Sequence, residues 1–291
     1  MNDVASCAVI LAFRLLAMLP LRGLHAVGAM TGRLMHRLSA RFRREFDRNI
    51  KVAIPGADAA LIRHAVEQSG RTILELPWLW LRPRRQVLKS VVEVSGWEYV
   101  ERLHASGRGV VLLTPHMGAF EIAARLIGSR LPITVLYRAP RQRWLGPLME
   151  RGRAGDGVSL AAADGTGVRR LLRTIKDGGL VGILPDQVPQ NGEGVWAGFF
   201  GGQAYTMTLA ARLTSMAAGT LIVFAERLPD ARGYHLHFIE PDVPIEGDTL
   251  QRVEAINRNV EALVRRWPAQ YIWGYKRYKC PPGVQRPAPV E

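Results

Sequence analysis

The chain has 291 residues, 48% of them hydrophobic and 22% charged, which is enough apolar material for a large buried core and excludes an intrinsically disordered chain. Lysine and arginine number 39 and aspartate and glutamate 25, so the net charge of +14 predicts an anionic partner: nucleic acid, an anionic membrane, a phosphorylated substrate or an acidic protein. Cys7 and Cys280 are too few for a cysteine-based zinc site; a reducing compartment is the simpler interpretation, with a disulfide between them as the alternative.

The N-terminal segment is apolar, since residues 4–32 carry only Arg14, Arg22 and His25 as ionisable groups. A helix that spans a bilayer needs about 20 apolar residues, and Arg14 and Pro20 interrupt this run. The pattern therefore predicts a marginal span or a helix lying in the membrane interface. A helix packed on the protein's own core is the third alternative.

The next segment, residues 31–51, is strongly basic. An apolar segment followed by a basic one is typical of a membrane anchor whose basic flank faces anionic lipid on the cytoplasmic side. The chain has no nucleic-acid-binding signature, so nucleic acid is not the expected partner. We predict an anchor helix over residues 1–30, one α/β domain over residues 31–280, and a loose tail over residues 281–291.

A helical pattern runs from about Ala57 to Leu76, and Pro77 is predicted to end it. The stretch WLWLRPRR follows and places Trp78 and Trp80 close to arginines. Tryptophan near arginine suits a membrane interface, and a buried helix end is the alternative.

From Val91 onward, short apolar runs alternate with helical patterns. The alternation predicts an α/β fold with a mainly parallel central sheet flanked by helices on both faces. The predicted strands are GVVLLTP, PITVLY, LVGILPD and TLIVFAE, and the predicted helices are FEIAARLIG, GVRRLLRTIKDG, TLAARLTSMAAG and LQRVEAINRNVEALVRRW.

Ligands bind parallel sheets at the carboxyl ends of the strands. This rule selects the polar residue that follows each of the four strands: His116, Arg138, Asp186 and Glu226. We expect a functional site at this edge of the sheet.

His116 is followed five residues later by Glu121, but the same spacing recurs at two other histidines, so spacing alone identifies nothing. The setting of His116 is different, because it lies between a buried strand and a helix and Gly118 permits a tight turn. If His116 lies in the turn and Glu121 in the first helical turn, the carboxylate can hold one imidazole nitrogen and leave the other as a base. The alternative is a structural cap with a solvated acid.

Two further histidines, His235 and His237, share one face of the alternating stretch YHLHFIE. They fit either a solvated sheet face, which is favoured, or a metal site. No metal and no cofactor are predicted. No GxSxG, Walker or GxGxxG motif is present, so direct transfer to a hydroxyl by a histidine base is the simplest enzymatic hypothesis.

Several stretches occur together and in order: RREFDRNIKVAIPG, TPHMGAFE, VLYR, RGR, GILPDQ, GVWAGFFGGQAYT and QYIWGYKRYK. With them the chain resembles, over roughly residues 1–280, the bacterial lipid A biosynthesis acyltransferases, the lauroyl and myristoyl transferases of the lysophospholipid acyltransferase superfamily. The resemblance implies a glycerolipid acyltransferase-like fold and an enzyme on the cytoplasmic face of the inner membrane, with a single-pass or peripheral anchor.

The resemblance also implies the reaction. An acyl chain would move from an acyl carrier protein or coenzyme A thioester to a hydroxyl of a 3-hydroxyacyl chain on a lipid A precursor. His116 is similar to the general base of the family, Glu121 to its partner acid and Asp186 to its second acid. Arg151 is similar to the essential arginine, and a small register shift would select Arg153 instead.

The remaining expectations concern substrate binding. Cationic side chains at Arg138 and Arg151 could bind the phosphates of the acceptor or a developing oxyanion. Trp196, Phe199 and Phe200 offer an apolar wall for an acyl chain, with core packing as the alternative. The competing functions are acylation of another membrane glycolipid or phospholipid, and a non-catalytic basic protein that binds membrane or nucleic acid.

Overall fold

The computed structural model describes residues 3–140, 142, 145–155 and 157–287, with side chains from residue 9 onward. The helices are α1 (Asp3–Met18), α2 (Leu21–Leu38), α3 (Ala40–Ala53), α4 (Ala59–Leu81), α5 (Arg84–Lys89), α6 (Trp97–Ala105), α7 (Glu121–Arg130), α8 (Leu145–Arg153), α9 (Gly165–Lys176), α10 (Thr208–Thr214) and α11 (Thr249–Arg266). The strands are β1 (Val91–Ser95), β2 (Val110–Leu113), β3 (Ile133–Tyr137), β4 (Val158–Ala162), β5 (Leu180–Ile183), β6 (Gly194–Phe199), β7 (Gly202–Met207), β8 (Gly219–Arg227) and β9 (Tyr234–Ile239).

A seven-stranded sheet forms the centre of the molecule, in the order β1-β9-β8-β2-β5-β3-β4. The strands from β8 to β4 are mutually parallel, whereas β9 is antiparallel to β8 and parallel to β1. A separate antiparallel hairpin consists of β6 and β7. The predicted α/β fold with a mainly parallel, helix-flanked sheet is therefore confirmed, and all four predicted strands are present.

The sheet separates two hydrophobic cores. In β2, whose four residues are all fully buried, Val111 and Leu113 enter one core and Val110 and Leu112 enter the other. This follows from the pleat, because successive side chains of a strand point to opposite faces. Strands buried on both faces read as continuous apolar runs, which is why they were recognisable in the sequence.

The prediction that Pro77 ends a helix is wrong, because α4 continues through it to Leu81. A proline inside a helix removes one backbone hydrogen bond and costs about 3 kcal/mol. Trp78, Leu79 and Trp80 follow it and are all buried. Burying each such side chain stabilises the fold by about 1.5–3 kcal/mol, so packing outweighs the cost. The membrane-interface interpretation of the two tryptophans is therefore wrong as well.

The N-terminal segment forms two helices that break at Pro20. Among the described residues, no helix is long and apolar enough to cross a bilayer, so the predicted single-pass anchor finds no support there. The division of the chain at residues 30 and 31 stays a prediction, and α2 runs through that point. Cys280 is a free thiol, and the side chain of Cys7 lies outside the described residues.

The contact between α2 and α4 is a backbone-to-backbone approach that glycines permit. A Cβ atom added to Gly32 would lie 2.3 Å from the carbonyl oxygen of Val66, and one added to Gly70 would lie 2.1 Å from that of Gly28. The expected alternative of an N-terminal helix packed on the protein's own core is thus correct for one face of α2, where Leu24 is fully buried.

This packing makes a stability prediction. Gly32→Ala should lower the free energy of unfolding by about 1–3 kcal/mol, because the methyl group overpacks the contact with α4. Gly23→Ala, in the same helix, is the matched control: its nearest heavy atom would be 3.8 Å away. We expect that variant to be neutral or stabilised by about 0.5–1 kcal/mol. Urea unfolding measures both, and equal effects of the two substitutions would contradict the packing argument.

Candidate active site

His116 lies in the turn between β2 and α7, as predicted. The turn depends on Gly118, whose φ of +53° lies in the left-handed region. A Cβ atom there would lie 2.1 Å from the carbonyl oxygen of Ala225. The backbone N–H of Gly118 donates to Gln270 (2.9 Å), and that of Ala119 donates to Ala225 (2.9 Å). The turn is thereby pressed against β8 and the C-terminal segment.

A buried ionic network supports the turn from behind. Glu75 of α4 accepts hydrogen bonds from His25, Tyr234 and Arg227. Arg227 also donates to the carbonyl of Gly118 at 3.3 Å. Burial opposes ionisation of Glu75, but Arg227 and His25 outweigh it and hold the pKa of Glu75 below its usual value. The network joins α2, α4, β8 and β9 and fixes the position of the Gly118 peptide.

Asp186, not Glu121, holds the imidazole. Its Oδ1 lies 2.7 Å from Nδ1 of His116, and its Oδ2 accepts from the His116 backbone N–H at 3.0 Å. Burial raises the pKa of Asp186, but the charge and hydrogen bonds of His116 outweigh burial and lower it. The carboxylate therefore stays ionised and accepts from Nδ1–H. The side-chain amide of Gln187 lies 2.9 Å from Nε2, which assigns the lone pair to that nitrogen.

Glu121 begins α7 as expected, but its partners are Arg153 and Trp80. Arg153 makes a two-point contact with the carboxylate, in which Nε donates to Oε2 at 2.8 Å, and the Trp80 indole donates to the same oxygen at 3.2 Å. Burial raises the pKa of Glu121, and Arg153, Trp80 and the nearby His116 together lower it below its usual value. The predicted hydrogen bond between Glu121 and His116 is wrong, because both imidazole nitrogens have other partners.

The structure also separates the two candidate arginines on α8. Arg153 faces Glu121 and lines the cavity described below, whereas Arg151 is exposed on the other side of the helix. Gly152 fixes this phase, because a Cβ atom there would lie 2.5 Å from Cβ of Trp80. Arg125 donates to the carbonyl of Gly152 at 2.8 Å and holds the end of the helix. The first choice of Arg151 is therefore replaced by Arg153.

A cavity of about 1030 Å³ opens in front of His116. Its volume is at the upper end of the range for small-molecule sites. One part of the wall is apolar, and it is formed by Leu136, Met149, Val168, Leu184, Val188, Met207 and Leu209. Another part is cationic, and it is formed by Arg138, Arg153, Arg212 and Arg252. The cavity is therefore suited to an amphipathic anion.

Two of the three acidic residues of the cavity wall cap helices, and the third lies near an arginine of the same wall. Asp164 caps α9, and Asp248 caps α11 through a reciprocal pair of hydrogen bonds with Gln251. Glu193 lies 3.8 Å from Arg138, and both side chains are about half exposed. The positive charge of the wall is thus only partly compensated.

The predicted aromatic wall is absent from the lining of this cavity. Phe199 and Phe200 are buried in the core against Tyr278 and Trp273, so core packing is the correct alternative for them. The Trp196 indole donates to the carbonyl of Gln285 at 2.7 Å. The segment over residues 281–291, predicted to be a loose tail, therefore contacts the β6–β7 hairpin at Gln285.

Of the four strand-end residues, Glu226 does not reach the site. It lies inside β8, hydrogen bonds to His237 at 2.9 Å and faces away from the cavity. His235 and His237 share one face of β9 as predicted, but Trp267 packs over that face, so it is not fully solvated. Burial and His237 lower the pKa of His235.

Sequence reasoning missed several residues of the site. Gln187 directly follows Asp186 and could have been selected by the same strand-end rule. Arg212 and Arg252 lie on helices, and no short motif marks them. Tyr271 is buried beside Asp186; burial and the Asp186 charge raise the pKa of its hydroxyl well above the usual value, so it stays protonated.

With this geometry in place, the chain matches the profile of the bacterial lipid A biosynthesis acyltransferases over residues 3–280. It is 27% identical over 275 residues to the Lipid A biosynthesis lauroyltransferase of Escherichia coli (strain K12), covering 92% of this chain and 89% of that protein. It is 26% identical over 265 residues to the Lipid A biosynthesis palmitoleoyltransferase of the same strain, covering 88% and 83%.

The Glu121–Arg153 pair makes a prediction about stability and pH. Arg153→Ala leaves a buried carboxylate without its cation and should lower the free energy of unfolding at pH 7 by about 2–4 kcal/mol. The effect is smaller than for a fully buried ion pair because the arginine is partly exposed to solvent. Arg151→Ala is the matched control and should change stability by less than about 0.5 kcal/mol.

The difference should depend on pH with a definite sign. In the wild type the pKa of Glu121 is lowered from its usual value of 4.5, so its ionised form stabilises the fold at every pH above 4.5. This stability is lost as the pH falls through the lowered pKa. In Arg153→Ala burial is no longer offset by the arginine and raises the pKa of Glu121. As the pH falls, Glu121 is therefore protonated at a higher pH in the variant than in the wild type, which removes the cost of burying an unpaired carboxylate. Urea unfolding at pH 7 and pH 5 should show a smaller gap at pH 5, and an unchanged gap would contradict the assignment.

Proposed function

Since the chain belongs to the bacterial lipid A biosynthesis acyltransferase family and is therefore an O-acyltransferase, we propose that it moves a fatty acyl chain from an acyl carrier protein thioester to a hydroxyl of a 3-hydroxyacyl chain on a lipid A precursor. One observation carries the proposal: Nε2 of His116 faces an apolar and cationic cavity, with the buried carboxylate of Asp186 on its other nitrogen.

His116 is the general base in this proposal. The acceptor hydroxyl displaces the Gln187 amide from Nε2, which takes the hydroxyl proton as the oxygen attacks the thioester carbonyl. A new C–O bond forms, the tetrahedral intermediate collapses, the C–S bond breaks, and the imidazolium returns the proton to the thiolate sulfur. Gln187 is then a donor beside the developing oxyanion.

The surrounding residues position this base. Asp186 fixes the Nδ1–H tautomer and stabilises the imidazolium that forms. Glu121 acts through Arg153: the pair keeps the guanidinium at the cavity wall, close to the reacting centre. Arg138 is a further cation of the wall, where it can bind a phosphate of the acceptor.

The two substrates suit the charges and the volume of the cavity. The apolar part of the wall can hold an acyl chain, and the arginines can hold the phosphates of a lipid A precursor. Acyl carrier protein is an acidic donor, which suits a chain of net charge +14; coenzyme A, whose phosphates are also anionic, is the alternative donor. Another membrane glycolipid or phospholipid is the alternative acceptor.

The exposed residues of the N-terminal helices support the proposal that the protein binds the cytoplasmic face of the inner membrane. Residues 1–30 and the basic segment that follows them would form a peripheral anchor. On α1, Leu11, Leu15 and Met18 are exposed on one face. On α2, Leu34 and Leu38 are exposed in the same way, with Met30 one turn before them. Apolar stripes at this spacing, beside exposed arginines, fit a helix lying in an anionic leaflet.

The chemistry is tested with two site variants and one control. His116→Ala should abolish transfer, and Asp186→Asn should lower the rate by about 10²–10⁴-fold, since the tautomer is no longer fixed. His64→Ala, in an exposed histidine on α4, should leave the rate unchanged. The assay combines membranes, a panel of acyl carrier protein thioesters including lauroyl and palmitoleoyl chains, and lipid A precursors, with mass spectrometry of the products.

The same assay, run also with the matching coenzyme A thioesters and with other membrane lipids as acceptors, separates the alternatives. Products on other lipids but not on lipid A precursors would identify a different acceptor, and transfer from coenzyme A alone would identify a different donor. Near-normal transfer by His116→Ala, with the protein folded, would overturn the mechanism.

The membrane placement is tested by flotation with vesicles that contain anionic lipid. Replacing Leu34 and Leu38 together with glutamate should lower the partition coefficient about tenfold or more, because burying a leucine side chain contributes about 1.5–3 kcal/mol. Leu250→Glu, in an exposed leucine on α11, is the control and should bind like the wild type. Equal binding by all three proteins would contradict the proposed orientation.

A further inference from the structure

A second cluster of ligand-type side chains lies on one face of β8 and β9, outside the lining of the cavity. Glu226 is directly opposite His235 in the antiparallel ladder, and Phe224 is opposite His237. Because side chains alternate along a strand, Glu226, His235 and His237 project to the same side. Ala225 and Arg227, which hold the turn of Gly118, project to the other.

The distances within this cluster fit a shared metal ion. Oε2 of Glu226 is 2.9 Å from Nε2 of His237, and one ligand atom from each of the three residues lies within 4.8 Å of the others. Two ligands that each bind a zinc ion at about 2.0–2.1 Å in tetrahedral geometry are themselves about 3.3 Å apart, so the observed 2.9 Å separation needs only a small adjustment. We propose that Glu226, His235 and His237 bind one divalent transition-metal ion of the zinc class.

The surroundings hold the ligands in place. Ser95 Oγ is 2.7 Å from Nε2 of His235, which leaves Nδ1 of that ring for coordination. The imidazole of His237 stacks on Phe224 with ring centroids 5.7 Å apart, and Trp267 packs against it at 5.2 Å. Ligand histidines are typically oriented by such outer contacts.

The fourth ligand is available on the neighbouring strand. Glu93 of β1 is paired with His235 in the sheet register, and its Oε2 lies 3.5 Å from Nδ1 of His235. Its side chain is 60% exposed and can turn toward the ion. Water is the other possible ligand in an open position of this kind.

Ligand chemistry selects the metal. Two imidazole nitrogens with one or two carboxylates favour zinc and its first-row neighbours, whereas magnesium and calcium prefer all-oxygen sites. An ion bound here would join β8, β9 and β1, the strands at the antiparallel end of the sheet. It would tie down β8 next to Ala225 and Arg227, which support the turn of His116.

The test uses the full chain purified without a histidine tag and stripped of metal with a chelator. Zn²⁺ is titrated in competition with a chromophoric chelator, and Co²⁺ is titrated with visible absorption as the spectroscopic readout. The wild type should bind one equivalent of Zn²⁺ in competition with the chelator, show cobalt bands of a nitrogen- and oxygen-ligated ion, and unfold at a higher temperature with Zn²⁺ than without.

Glu226→Gln and His237→Gln should each weaken Zn²⁺ binding at least about tenfold, since losing even an outer contact of a ligand typically costs about 10–100-fold in metal affinity. Glu93→Gln changes an exposed side chain, so this variant should fold even if the other two are destabilised, and it should change the cobalt spectrum. His64→Gln is the matched histidine control and should bind like the wild type. No binding by the wild type, or equal binding by the wild type, Glu226→Gln and His237→Gln, would overturn the site.

Discussion

The site depends on one contact, in which the carboxylate of Asp186 accepts hydrogen bonds from both the backbone N–H and the Nδ1–H of His116. The sheet register makes it possible. Leu113 and Ile183 are paired on adjacent parallel strands, so the residues three positions beyond each strand reach the same edge. Burying a carboxylate is costly, and the charge and hydrogen bonds of His116 together keep the pKa of Asp186 low, so that it stays ionised. The register of the parallel sheet therefore determines the contact between His116 and Asp186.

A second layer keeps that pair in register. The Gly118 peptide is held by Arg227 and Thr72 on its carbonyl and by the Gln270 carbonyl on its N–H. Arg227 is in turn neutralised by the buried carboxylate of Glu75. Removing one member of such a pair leaves an uncompensated buried charge, which is far more damaging than losing a surface ion pair. The turn that carries His116 is thus held by contacts that are buried and hydrogen-bonded.

The sheet and the strand-end position of His116 were predictable from sequence, because buried strands are continuous apolar runs and parallel strands end at one edge. The partner of His116 was not predictable, because the spacing of five residues to Glu121 carries no information about Asp186, which lies 70 positions further along the chain, after β5. The choice between Arg151 and Arg153 depended on the phase of a helix, which tertiary packing set. Glu226 failed the strand-end rule because the antiparallel ladder with β9 extends β8 through Arg227, past the edge where its parallel neighbours stop.

Histidine-selective ¹⁵N NMR tests the central claim most directly, with a His116→Gln sample to assign the signal. The account predicts that the neutral ring of His116 carries its proton on Nδ1, that Asp186→Asn abolishes this preference, and that Glu121→Gln preserves it. A proton on Nε2 in the wild type, or a preference that depends on Glu121 instead of Asp186, would contradict it.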